Sequence, residues 1–174
     1  MPPLTRRAFT RAATAAATIP FLPNCNLTPR PLATRGPNPD GVLRVAVAGI
    51  RSRGSSHISG FQSLPGVDVV ALVDVDSQVL AQRKAELEKN KLAKNGWEGG
   101  EVQGYADLRD ALAREDIDIV SLATPNHLHA LQTIWSCQAG KDVYVEKPLS
   151  LSIWDGRKMV EAARKYKRVV QVGT

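Results

Sequence analysis

Two short polar segments hold the side chains that are best suited to chemistry, and each follows an apolar run. Glu146, Lys147 and Pro148 come directly after a run that ends at Val145. A lysine in such a position can donate hydrogen bonds to a reacting oxygen and stabilise the negative charge that develops on it. The other segment, residues 123–129, has the sequence Ala-Thr-Pro-Asn-His-Leu-His. These patterns predict a polar site at the ends of two buried strands.

A glycine-containing turn after the first apolar run indicates phosphate binding. Gly49 and Gly54 match the first and third glycines of the dinucleotide-binding pattern Gly-x-Gly-x-x-Gly, and Arg51 replaces the second. Gly49 allows a tight turn, and Gly54 allows the following helix to pack closely on the strand. The Arg51 side chain hinders close approach of the backbone, but its charge and that of Arg53 offer another way to bind phosphates. Ile50, inside the turn, is expected to contact the bound dinucleotide.

Asp74 ends the second apolar run, twenty residues after Gly54. In dinucleotide-binding folds an acid at this distance accepts hydrogen bonds from the adenosine ribose. Such an acid repels a 2′-phosphate, so we expect NAD to be the cofactor, with NADP as the alternative. A structural role as a helix cap is the other interpretation, although Asp76 and Ser77 are better placed for it.

Apolar β-branched runs alternate with amphipathic stretches from residue 42 onward, which predicts an α/β fold with a doubly wound parallel sheet, the Rossmann NAD(P)-binding fold. The predicted strands are 43–50, 67–73, 101–105, 117–123, 142–145 and 169–172, and the predicted helices are 55–64, 78–92, 108–114, 127–139 and 153–166. A sheet of this kind binds ligands at the carboxyl ends of its strands, where the polar segments lie.

Taken together, these motifs resemble the glucose–fructose oxidoreductase / inositol dehydrogenase / rhizopine catabolism (Gfo/Idh/MocA) family, over residues 42–174. Glu-Lys-Pro is the most specific element, and Thr-Pro-Asn-x-x-His is the next. The resemblance implies hydride transfer between nicotinamide and a secondary alcohol of a sugar or cyclitol, with Lys147 as the catalytic residue. It further implies that Glu146 contacts the nicotinamide ribose. In members of the family the peptide bond that corresponds to Lys147–Pro148 is often cis. The other residues that it places along the cofactor are Thr124, Pro125, Asn126 and His129.

Charge and cysteine content argue against several other classes of protein. Residues 1–36 contain five arginines and no acid, and the remaining chain has 18 basic and 17 acidic side chains. A nearly neutral body gives no electrostatic basis for nucleic-acid binding. Cys25 and Cys137 are the only cysteines, and the three histidines lack companions at ligand spacing, so we expect no metal site.

The first residues resemble a twin-arginine export signal. Arg6 and Arg7 are followed by Phe9 and by a short, weakly apolar run that is unsuited to a membrane span. We expect residues 1–36 to be this signal and a flexible linker, and the protein to be periplasmic. A lipid anchor at Cys25 is not favoured, because the residues before it match a lipoprotein box poorly.

The remaining residues, 37–174, are expected to form the dinucleotide-binding domain, incomplete at its C-terminus. Similar proteins continue into a second α/β domain that supplies substrate specificity and contacts within homo-oligomers, so this chain is expected to bind cofactor without turnover. A non-catalytic dinucleotide-binding remnant is one alternative. Another Rossmann enzyme, such as a methyltransferase, is a second, against which Glu-Lys-Pro argues.

Overall fold

The structure, a computed structural model, describes residues 40–93 and 101–173. Predictions that fall outside these residues concern Arg6, Arg7 and Cys25 in the leader. The described residues contain the whole of the predicted sheet.

Six strands form one sheet, in which every neighbouring pair is parallel. The strands are β1 (Leu43–Ala48), β2 (Val67–Val73), β3 (Gln103–Tyr105), β4 (Ile119–Leu122), β5 (Asp142–Val145) and β6 (Val170–Val172). The helices of the described residues are α1 (Ser52–Ser63), α2 (Ser77–Ala93), α3 (Leu108–Leu112), α4 (Asn126–Gln138) and α5 (Ile153–Tyr166). The spatial order is β3-β2-β1-β4-β5-β6, which confirms the doubly wound fold. Since the order reverses between β1 and β4, a crevice at their carboxyl ends is the expected ligand site.

Both faces of the sheet are covered by helices. On one face α1 and α2 pack on a buried cluster that includes Val45, Val47 and Leu72, and on the other α3, α4 and α5 pack on Val120 and Leu122. Burial on both faces explains why the strands are almost uninterrupted apolar runs. Because a buried Val or Leu side chain contributes about 1.5–3 kcal/mol, these clusters hold the polar turns at the sheet edge in place.

Several predicted boundaries move by a few residues, and the turn after β1 gives the clearest reason. Gly49 has φ +78°, so β1 ends at Ala48 rather than at the predicted residue 50. The chain becomes helical at once, and α1 begins at Ser52, three residues before its predicted start at Ser55. The expected positions of β2, β5 and α5 are confirmed without change.

Candidate functional site

The turn between β1 and α1 requires glycine at two positions. Gly49 has a positive φ, and a Cβ there would lie 2.6 Å from the carbonyl oxygen of Ala123 and 2.7 Å from the nitrogen of Thr124. A Cβ on Gly54 would lie 1.8 Å from the carbonyl oxygen of Gly49. The backbone of the turn is therefore packed against the end of β4 and against the first turn of α1. This is the close approach that the glycine pattern predicts.

The N-terminus of α1 opens at the same edge of the sheet. Arg51 occupies the N-cap position without a side-chain capping hydrogen bond, and the first turn contains no acidic residue. The N–H groups at a helix start have no partner within the helix, and together with the helix dipole they favour an anion. The geometry therefore suits a pyrophosphate.

The two arginines of this turn are paired with carboxylates on opposite sides of the crevice. The Arg51 guanidinium is 64% exposed and pairs with Asp76, in the turn after β2. Arg53 extends the other way, and its Nε lies 2.6 Å from Oε1 of Glu146, after β5. Sequence reasoning assigned both cations to phosphate, but it contained no indication of the ion pair between Arg53 and Glu146.

Asp74 links the turn after β1 to the turn after β2 through hydrogen bonds. Its Oδ2 accepts a hydrogen bond from the Ile50 N–H at 3.1 Å, and its Oδ1 accepts one from the Asp76 N–H at 3.0 Å. Asp76 in turn caps α2, because its Oδ1 accepts from the N–H groups of Gln78 and Val79. Asp74 is therefore not a helix cap, and its half-buried carboxylate lies at the end of β2 where a ribose is expected.

Glu146 is a buried carboxylate with three hydrogen-bond donors. Its Oε1 lies 2.6 Å from Arg53 Nε and 2.9 Å from Nε2 of His57, and its Oε2 accepts from the Lys147 N–H at 3.2 Å. Desolvation raises the pKa of Glu146, but the hydrogen bonds from Arg53, His57 and the Lys147 N–H, with the Arg53 charge, lower it to about 2. Glu146 is therefore an anion over the whole physiological range.

His57 is buried beside Glu146, and no sequence pattern assigned it to the site. It is only 7% exposed, and its Nδ1 lies 2.8 Å from the hydroxyl of Ser121 on β4. Arg53 and His57 are four residues apart on α1, so their side chains lie on one face and both contact Glu146. That spacing is the signal that could have identified His57.

His129 connects the segment after β4 to the segment after β5. Its Nε2 lies 2.8 Å from the carbonyl oxygen of Thr124, and its Nδ1 lies 2.8 Å from that of Pro148. With 1% exposure, it lies beneath these turns and not on the surface of the crevice, which differs from the expected contact with the cofactor. The Thr124 hydroxyl donates to Gln132.

The exposed members of the site are on the solvent side of these turns. Pro125 and Asn126 lie at the start of α4, and Lys147 follows the buried Glu146. The Lys147–Pro148 peptide bond is cis. Among the described residues, no group of three or more His, Cys, Asp and Glu side chains is arranged to hold a metal ion.

The sheet order, the glycine turn and the acid after β2 define a dinucleotide-binding Rossmann domain. The model of the Gfo/Idh/MocA family, "Oxidoreductase family, NAD-binding Rossmann fold", matches residues 43–174, and the chain belongs to this family. The family match decides against the methyltransferase alternative.

The chain is similar to proteins with several different activities. Over 123 residues it is 37% identical to a "Glycosyl hydrolase family 109 protein" of Shewanella pealeana, with 71% of this chain and 26% of that protein covered. Over 131 residues it is 35% identical to "4-carboxy-2-hydroxymuconate-6-semialdehyde dehydrogenase" of Sphingobium sp., with 75% and 38% covered. The chain thus spans between a quarter and two fifths of the length of these relatives.

Solved structures of the family share the fold. Myo-inositol 2-dehydrogenase from Lactobacillus plantarum superimposes with a TM-score of 0.65 at 27% identity, with 76% of this chain and 36% of that chain covered. The WlbA dehydrogenase from Bordetella pertussis, in complex with NADH and UDP-GlcNAcA, gives 0.65 at 26% identity, with 76% and 37% covered. Within the described part of this chain, no helix has the length and apolar character needed to cross a membrane.

Proposed function

We propose that this chain binds NAD along the carboxyl edge of its sheet, as the cofactor domain of an enzyme that transfers hydride between nicotinamide and a secondary alcohol of a sugar or cyclitol. The observation that supports this most directly is the uncapped N-terminus of α1, where the strand order reverses. Rossmann domains bind pyrophosphate at that point. Bound NAD would supply the hydride chemistry, which protein side chains do not provide.

The adenosine half of the cofactor belongs over β1 and β2. Each carboxylate oxygen of Asp74 accepts one backbone hydrogen bond and keeps a lone pair for a ribose hydroxyl. The negative charge of Asp74 disfavours a 2′-phosphate, so NAD is preferred to NADP. Arg51 can bind the pyrophosphate by exchanging its exposed partner Asp76 for a phosphate oxygen.

The nicotinamide half belongs over β4 and β5. Lys147 is exposed at this edge, where its ammonium group can donate a hydrogen bond to the reacting oxygen and stabilise developing negative charge. Glu146 accepts from the nicotinamide ribose. Pro125 and Asn126 line the cofactor, while His129 supports the turns from beneath.

Binding is tested with the full 174-residue chain by isothermal titration and thermal unfolding in NAD and in NADP. We expect NAD to raise the unfolding temperature and Asp74→Ala to abolish the increase. Lys147→Ala should leave it largely unchanged, because the proposed partner of Lys147 is the reacting oxygen. Asp110→Ala, which removes an exposed carboxylate on α3, is the control. A folded chain that neither dinucleotide stabilises would contradict the proposal.

Cleavage of a glycosidic bond is a second candidate, favoured by the 37% identity to a protein named as a glycosyl hydrolase. The candidates differ in their net products, because a dehydrogenase accumulates NADH whereas a hydrolase releases free sugar without a net change in nicotinamide. Where the chain turns over a substrate, incubation with NAD and a cyclitol, or with NAD and an aryl glycoside, separates them. Binding of NAD with neither product would identify a binding module without turnover.

The substrate and the assembly of the whole enzyme are also proposals. Relatives named for myo-inositol and for a complex with UDP-GlcNAcA support a polyhydroxylated substrate. We propose that the complete enzyme forms homo-oligomers, which light scattering of the purified protein would test.

For the leader, we propose export by the twin-arginine route to the periplasm, on the basis of Arg6, Arg7 and the apolar run that follows. Residues 1–36 fused to a folded reporter should direct it to the periplasm of a bacterium. The double change Arg6→Lys and Arg7→Lys should keep it in the cytoplasm. Export of the double variant at the wild-type level would disprove the proposal.

A further inference from the structure

A buried chain of hydrogen bonds runs from the middle of the sheet to the turn after β5. The Ser121 hydroxyl lies 2.8 Å from Nδ1 of His57, and Nε2 of His57 lies 2.9 Å from Oε1 of Glu146. The exposure of these residues is 0%, 7% and 6%, respectively, so bulk water does not compete for the bonds. Tyr144 packs edge-on against the His57 ring, with the ring centroids 5.3 Å apart.

The carboxylate sets the direction of the hydrogen bond between His57 and Glu146. An ionised carboxylate only accepts, so His57 donates through Nε2–H to Glu146. The Ser121 hydroxyl can both donate and accept, so it pairs with Nδ1 whether or not that nitrogen carries a proton. Because only an N–H can bind the ionised carboxylate, Nε2 faces Glu146 and the imidazole ring has one orientation. That orientation keeps Oε1 of Glu146 directed toward α1.

The remaining hydrogen-bonding capacity of Glu146 lies on Oε2. Oε1 receives two donors, Arg53 and His57, whereas Oε2 receives only the Lys147 N–H. A carboxylate has about four lone-pair sites, so Oε2 keeps one for a further donor. A ribose hydroxyl is a donor of suitable size. Ser121, at 0% exposure inside the sheet, is not accessible as a nucleophile, although Ser-His-Glu geometry otherwise suggests one.

We propose that His57 is a positioning residue for the nicotinamide half of the site: it holds Glu146 so that Oε2 accepts from the nicotinamide ribose and the Lys147 backbone is fixed beside it. Ser121 holds the other ring nitrogen of His57. This inference rests on the proposed function, because the ribose contact presupposes NAD binding. It predicts an effect on ligands that contain the nicotinamide ribose, and none on ligands that lack it.

Two substitutions of His57 separate positioning from packing. Asn places its amide near the position of Nδ1, so His57→Asn retains a partner for Ser121 but removes the donor to Glu146. Gln places its amide near the position of Nε2, so His57→Gln retains that donor. Both side chains lack the aromatic ring that packs against Tyr144, so both variants lose that contact. Ser121→Ala is paired with Ser136→Ala, a fully buried serine on α4 whose hydroxyl donates to the Gln132 carbonyl.

The affinities of the full chain for NADH and for ADP are measured by calorimetry, since ADP lacks the nicotinamide and its ribose. In His57→Asn we expect the Kd for NADH to rise about tenfold and that for ADP to change by less than about twofold. His57→Gln should retain most of the NADH affinity. Ser121→Ala should lose about threefold for NADH only, and Ser136→Ala should lose nothing.

Equal affinity for NADH in the wild type and in His57→Asn would overturn the positioning role and leave the proposed function intact. A parallel loss for NADH and ADP in both His57 variants would also overturn it, because that is the result of a packing role. Failure of the folded wild type to bind either ligand would overturn the proposed function, and the inference with it.

Discussion

The N–H of Ile50 donates to Oδ2 of Asp74 at 3.1 Å, across 24 residues of sequence. This bond ties the glycine turn after β1 to the end of β2 and fixes the acid at that edge of the sheet. The same carboxylate therefore has a structural partner and, in our proposal, a ribose partner. The two roles can be separated by a change that keeps an acceptor and removes the charge.

Asp74→Asn is such a change. The amide oxygen can still accept from Ile50, whereas the Asp76 N–H loses its acceptor, and the repulsion of a 2′-phosphate is lost. We expect the ratio of the Kd for NADP to that for NAD to fall about tenfold, which corresponds to about 1.4 kcal/mol. Calorimetric titration with both dinucleotides measures the ratio, and Asp110→Asn serves as the control. A ratio that stays constant would show that Asp74 does not discriminate between them.

Gly49→Ala should unfold the protein more readily. A Cβ there meets the Ala123 carbonyl oxygen at 2.6 Å and forces a residue with a side chain into φ +78°. We expect a loss of about 2–4 kcal/mol in the free energy of unfolding. Gly60→Ala is the matched control, because a Cβ at that position on α1 meets nothing within 4 Å and should add about 0.5–1 kcal/mol. Urea denaturation compares the two, and equal midpoints would contradict the packed turn.

Glu146 should give the protein a stability that is lost in acid. Its pKa falls from the usual 4.5 to about 2 on folding, so the ionised group stabilises the fold above 4.5 and ceases to do so as the pH approaches 2. We expect Glu146→Gln to cost about 1–3 kcal/mol at pH 7 and less than half of that near pH 3.

Urea denaturation at the two pH values measures this difference. Glu161→Gln is the control, because that carboxylate lies on the surface of α5, with its side chain 63% exposed. A cost for Glu146→Gln that does not change between neutral and acid pH would argue against an ionised, hydrogen-bonded Glu146.

His129 and His127 lie on the same helix and should differ sharply in their effect on stability. His129 is 1% exposed, and its ring lies between two carbonyl oxygens, whereas His127 is exposed. We expect His129→Ala to cost about 2–4 kcal/mol, because it leaves a cavity and removes the ring donor that these carbonyl oxygens share. His127→Ala should change stability by less than about 0.5 kcal/mol. Thermal unfolding of the two variants measures these losses. Similar losses of stability in both would contradict the role of His129 as a link between the turns after β4 and β5.

Most of the fold could be predicted from local patterns. The apolar strands, the amphipathic helices and the positive-φ turn at Gly49 are properties of short segments, and the structure confirms the doubly wound sheet. A parallel sheet brings the carboxyl ends of its strands to one edge, so Asp74 and Glu146 could be assigned to that edge from their positions after strands. Boundaries were less certain, as the early start of α1 shows, because glycine turns carry little periodic signal.

The sequence by itself determined the sheet, the glycine turn and the candidates for cofactor contact. Only the tertiary structure decided their partners: Arg53 with Glu146, and His57 between Ser121 and Glu146. Arg53 and His57 are separated from Glu146 by 93 and 89 residues, and they meet it because the strand order β1-β4-β5 brings α1 beside the end of β5. Local periodicity specifies which face of an element is buried, but not which strands become neighbours, and neighbouring strands decide which charges are paired.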